Sequence, residues 1–135
     1  MNRNLLLGAL LLTLLVGATS WAKSYPMIAG KAAPAATGKV TVGKEKNGNM
    51  QVTVKTEHLA KPGKLTPPAH AYVVWFQEQG SEPINQGQLK VSHKRKGKFK
   101  ITTRYQNFDL FITAETDPMT KVPSGQTVLT SKVQV

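Results

Sequence analysis

Three histidines, seven carboxylates, a few serines and one dense run of cations are the side chains here that could do chemistry. His58, His70 and His93 stand apart, with neither His-x3-His nor His-Glu-x-x-His spacing. A zinc site of the usual kind therefore has no support in the sequence. The alternative is a small copper- or zinc-binding protein in which the fold brings His58 and His70 together, with Met50 or Met119 as soft copper(I) ligands. Glu115 and Asp117 are the closest carboxylates, but both lie at one strand end, whereas glycoside hydrolysis needs two carboxyl groups facing across a cleft. Glu115 is expected to order the loop before Pro118 or to pair with a lysine. No serine sits in Gly-x-Ser-x-Gly, and no Gly-Lys-Ser or Gly-Lys-Thr phosphate loop occurs. No catalytic residue and no cofactor is expected.

The basic run is the remaining candidate. His93-Lys94-Arg95-Lys96-Gly97-Lys98-Phe99-Lys100 holds five cations within seven residues. Expected at a hairpin tip, Lys94, Arg95, Lys96, Lys98 and Lys100 repel one another. An anionic partner relieves that repulsion, and its binding weakens with salt. The plainer alternative is a solvated tip. Phe99 falls on the inward side of the alternation, so it is not free to stack on a base, and nucleic acid is not an expected partner.

Composition sets the same frame. The chain has 135 residues and a net charge of +11, which favours anionic partners by long-range steering. It has no cysteine, so thiol chemistry and disulfides are excluded and the domain must stand on its hydrophobic core. Arg3 precedes an apolar run, Leu5 to Val16, and Gly17 to Ala22 supplies small residues with Ser20 and Ala22 at the −3 and −1 positions. That order reads as a secretory signal peptide over 1–22, too short in its apolar part for an ordinary membrane span. An uncleaved anchor is the alternative. The chain is expected in the periplasm or outside the cell, and not transmembrane once cleaved.

Stepping along the chain, residues 23–38 are rich in Ala, Pro and Gly and are expected to form a flexible linker. From Lys39 the pattern changes to short alternating runs divided by turn residues, which is strand periodicity. Runs fall at 39–42, 50–56, 71–77, 88–92, 99–103, 108–114 and 127–135, and Asn47-Gly48 is a hairpin signal between the first two. Segment 80–87 reads as a turn. Leu59 and Leu65, in a proline-rich loop, are expected to cap the core. Ala71 to Gln77 is apolar on both faces and reads as a central strand. Tyr72, Trp75, Leu110 and Ile112 are the expected structural core, with Trp75 packed between the sheets as in immunoglobulin domains. The expectation is an all-β, antiparallel, immunoglobulin-like β-sandwich of about seven strands over 39–135. A partly open barrel is the runner-up.

Tyr72-Val-Val-Trp75-Phe, then Gly80, Pro83 and Gln86-Gly87, is similar to a stretch of the C-terminal extracytoplasmic domain of anti-sigma-K-type factors. Phe111-Ile-Thr-Ala-Glu115, Pro123-Ser-Gly125 and Val128-Leu129 resemble that domain's last two strands. The likeness covers about Val52 to Val135. It implies a β-sandwich outside the cytoplasmic membrane, free-standing and without the family's sigma-binding domain or transmembrane helix. Together these observations lead to the expectation of an exported, non-enzymatic binding or accessory module at the cell envelope. Its partner would be an anionic polymer, a lipid headgroup or another envelope protein.

Overall fold

The computed structural model describes residues 22–135, so the expected leader lies, but for its last residue, outside the described residues. Alternating β-branched residues make β3 (Thr37–Lys44) and β4 (Met50–Glu57), joined through Asn47-Gly48 with Gly48 at φ 88°. A 3-10 turn, Pro62–Lys64, lies in the loop that follows. Next come β5 (Ala71–Gln77), β6 (Ile84–Leu89), β7 (Gly97–Thr103), β8 (Asn107–Glu115) and β9 (Gln126–Gln134). Two short strands, β1 (Ala22–Pro26) and β2 (Ile28–Ala29), precede them.

The strands form two sheets, β1-β3-β4-β7 and β2-β9-β8-β5-β6, in which all neighbours are antiparallel. The expected β-sandwich is therefore the fold. Val40, Val42, Val52 and Val54 of the first sheet meet Tyr72, Val74, Phe76, Leu110, Ile112 and Val133 of the second, all buried. Leu59 and Leu65 close one part of this core, as expected. Phe76 packs on Phe108 with ring centroids 4.4 Å apart, and Tyr105 leans on both. Tyr72 is completely buried, and its hydroxyl donates to the Ala60 carbonyl at 2.6 Å. Burial pushes its pKa up to about 12.

Four expectations need correction. The segment 23–38 is not a flexible spacer. It supplies β1 and β2, which cover the edges of β3 and β9 and so raise the strand number from seven to nine. An open sheet edge leaves a row of unpaired backbone groups; β1 pairs those of β3 from Lys39 to Gly43, and β2 pairs those of β9 at Leu129 and Thr130. The chain passes between the sheets at Met27, which is buried and whose N–H donates to Gly38. The turn expected at 80–87 ends earlier, because β6 already begins at Ile84, and Gly87 at φ 132° fits the bulge opposite Val74 and Trp75.

Trp75 is fully buried but does not point between the sheets. Strand parity puts it with Val73 on the outer face of β5, where the 116–125 loop folds back beside it. Asn85 anchors that loop by donating to the carbonyls of Pro118 and Thr120 at 3.0 and 2.8 Å. Finally, the basic run does not cap a hairpin of two long strands, because its flanking strands, β6 and β7, belong to different sheets.

Candidate functional site

The basic residues separate into two groups. Lys94, Arg95 and Lys96 occupy a tight turn closed by one isolated bridge, Val91 to Gly97. Ser92 organises this turn. Its N–H donates to the Lys96 carbonyl at 2.8 Å, and its hydroxyl accepts from the N–H groups of Lys94 and Lys96. Arg95 sits at φ 63°, a left-handed conformation uncommon for a residue with a Cβ. Lys98 and Lys100 instead lie on β7, pointing to the outer face of the four-stranded sheet while Phe99 and Ile101 pack inward.

The sheet brings Lys98 to two lysines that the sequence did not mark. Lys98 is directly opposite Lys55 of β4, and Lys55 is directly opposite Lys39 of β3. Three like charges thus stand in one cross-strand row, all exposed. Each such pairing costs on the order of 0.2–1 kcal/mol. The next row is Ser24, Thr41, Thr53 and Lys100, which adds hydroxyls and a fourth cation. Only part of the signal for this row was in the sequence. Alternation sends residues 39, 55 and 98 outward, but a two-residue turn at Asn47-Gly48 would set Lys39 against Thr56; the loop is five residues, 45–49, and by pairing Lys44 with Met50 it sets Lys39 against Lys55.

Between β4, β7 and the 92–96 turn lies a groove of about 640 Å³, lined in part by Lys55, Lys90, Ser92, Lys96 and Lys98. Glu57 is its only carboxylate, 3.7 Å from the Lys96 ammonium, with both groups well exposed. Among the described residues this is the one ion pair. Thr56 also lines the groove, and its buried hydroxyl has no hydrogen-bond partner. The arrangement can neutralise several negative charges at once, through lysines that act as mobile point charges with no fixed fork geometry.

The opposite sheet carries a buried polar chain. Trp75 Nε1 donates to Thr113 Oγ1 at 2.8 Å, and that hydroxyl donates to Glu115 Oε2 at 2.6 Å. Glu115 also accepts from the Ser124 hydroxyl at 2.7 Å and from the N–H groups of Ser124 and Gly125, both at 3.1 Å. Burial raises the pKa of this carboxyl, but the hydrogen bonds from Thr113, Ser124 and Gly125 outweigh it and hold the group below its usual value. Of the two roles expected for Glu115, it takes the ordering of the loop.

The histidines do not assemble. His58 lines a separate groove with Arg95, while His70 Nδ1 lies 3.1 Å from the Thr116 carbonyl. Among the described residues no group of three or more His, Asp or Glu side chains could hold a metal ion. No helix among them is long and apolar enough to cross a membrane. The chain matches no protein-family model and no curated protein.

Proposed function

We propose that this protein is an exported, non-enzymatic binding module of the cell envelope, periplasmic or secreted, whose four-stranded sheet presents a cationic face to an anionic partner. The observation that carries this reading is the register of Lys39, Lys55 and Lys98. Three ammonium groups aligned across adjacent strands work against the sheet, and one exposed carboxylate, Glu57, offsets little of it. A surface that keeps such a row is built for charges that arrive from outside. Arg95, Lys94 and Lys96 extend it along one side, and lysine suits a partner whose charges are not fixed in one geometry. The leader-like N-terminus and the resemblance to an extracytoplasmic anti-sigma domain support an envelope setting, where anionic headgroups and phosphate-bearing polymers are plentiful.

The test is co-sedimentation with phosphatidylglycerol vesicles and with anionic wall polymer. Near an anionic surface each lysine contributes about 1 kcal/mol. Neutralising three, as Lys39→Gln, Lys55→Gln and Lys98→Gln together, lowers the affinity roughly a hundredfold. Raising the salt has the same direction of effect. Binding that survives both changes refutes the reading.

A further inference from the structure

We infer that the outer face of the five-stranded sheet, on the side of the sandwich away from the lysine row, is a binding site for a neutral saccharide. The site is two strand-crossing rows in register. One runs Ile28, Thr130, Phe111 and Trp75 across β2, β9, β8 and β5. The other runs Lys132, Asp109 and Gln77 across β9, β8 and β5. A groove of about 340 Å³ lies over Ile28, Thr130 and Phe111 of the first row and over the whole of the second, and another of about 300 Å³ adjoins it at Gln77, Asp109 and Lys132; Trp75 is buried beneath the surface and backs Phe111. Small-molecule sites begin at about this size.

A sugar ring has an apolar C–H face and a rim of hydroxyls that both donate and accept. It needs a flat apolar floor beside acceptors, donors and amides. Phe111 supplies the floor. Its ring is half-buried and lies nearly parallel to the Trp75 indole, with an interplanar angle of 14°. The indole is itself fixed by its hydrogen bond to Thr113. Ile28, 72% exposed although its strand is paired, stands as a wall across Thr130.

Asp109 and Lys132 are directly opposite, yet the one ion pair among the described residues is elsewhere. The carboxylate offers acceptors and the ammonium donors. The Gln77 amide donates one bond to the Ser81 carbonyl at 2.9 Å, which holds it in place and leaves its oxygen to accept and its second N–H to donate. With one charge of each sign the rim is electrically balanced, unlike the lysine face. An extended peptide would bind at a sheet edge through backbone groups, but β8, which carries Phe111 and Asp109, is paired on both sides.

The test is an amide-shift titration of the full chain with chitotetraose, cellotetraose and maltotetraose, each to about 10 mM, in about 0.5 M salt so that the cationic face is screened. At least one sugar gives saturable shifts grouped on Phe111, Thr130 and Lys132. Phe111→Leu keeps aliphatic bulk against Trp75 but removes the flat ring, and it weakens binding about tenfold; Asp109→Asn weakens it about threefold. The inference is overturned if no sugar shifts these amides, if the shifts map to the four-stranded sheet, or if folded Phe111→Leu binds as well as the parent.

Discussion

Replacing Glu115 by glutamine removes one charge and almost no volume, so it isolates what the carboxylate does for the loop. The side chain is 2% exposed, and no cation lies within ion-pair distance among the described residues. Its charge is held by neutral donors alone: two hydroxyls and two backbone N–H groups. Three of these contacts converge on Oε2, so an amide that keeps its oxygen there retains them and turns its NH2 toward the Ser124 hydroxyl, which can rotate to accept.

What Glu115→Gln loses is the charge assistance. Hydrogen bonds to a charged acceptor are about twice as strong as neutral ones, which amounts to nearly 1 kcal/mol for each retained bond. Recovered desolvation offsets part of this, leaving a loss of about 2 kcal/mol. For a domain of this size that is a fall in Tm of about 8 °C. Glu115→Ala strands the same donors and costs about 4 kcal/mol.

The pH dependence follows from the lowered pKa of Glu115. Its folded-state pKa lies below the unfolded value, so its contribution is complete above about pH 4.5 and is lost as the pH falls through the folded value. Urea unfolding of the parent and Glu115→Gln at several pH values measures both quantities. The two stability curves converge on acidification below about pH 4.5. Equal stability at neutral pH, or curves that stay parallel down to pH 2, would show that the carboxylate does not hold the loop by its charge.

Other outcomes follow from the same packing. Gly125→Ala places a Cβ on the Ala114 carbonyl, in the strand beneath the returning loop, and destabilises by about 3 kcal/mol or more in a thermal melt. Gly97→Ala meets the Thr56 hydroxyl at 2.6 Å and costs about 1–3 kcal/mol. Tyr72→Phe removes the bond to Ala60 and costs about 1 kcal/mol. With a folded-state pKa near 12, Tyr72 contributes stability below its unfolded value of about 10 and loses it as the pH rises toward 12; in a difference titration of parent against variant the missing absorbance step lies near pH 12. Lys55→Gln, between two lysines, raises stability by a few tenths of a kcal/mol in low salt while weakening anionic binding, and a stability loss would contradict the repulsive row.

Most of the long runs of alternation were legible because they have one buried and one exposed side, as in β4, where Met50, Val52, Val54 and Thr56 are buried and the residues between are not. The run at 88–92 is misplaced: the strand there is β6, Ile84–Leu89, whose residues before Leu89 are not buried and give no alternation to read. β1 and β2 were not, since an edge strand buries little. Tyr25 and Ile28 were their only large apolar residues, with Met27 between them, in a stretch dominated by Ala, Gly and Pro. The side taken by Trp75 was hidden for the opposite reason. β5 is buried on both faces, so alternation cannot say which faces the other sheet. What decides is the 116–125 loop, and its Pro and Gly residues mark a loop without showing that it folds back. The basic run was plain in the sequence, but half of the cationic face comes from Lys39 and Lys55, single lysines among threonines and valines that acquire meaning only through strand register.

Pairing of Ile28 with Thr130 ties the first strands to the last. The Tyr25 hydroxyl donates to the Gln134 carbonyl, and the Ser131 hydroxyl donates to the Pro26 carbonyl at 3.0 Å. β1 can settle on β3 early, but β2 has no partner strand until β9 is delivered, and a chain threaded through a pore from its N-terminus stays incomplete until its final segment arrives. Among the described residues, β1 and the end of β9 lie at one margin of the sandwich. A circular permutant of residues 22–135 that links Val135 to Ala22 and reopens the chain at Asn47-Gly48 keeps every ladder of both sheets.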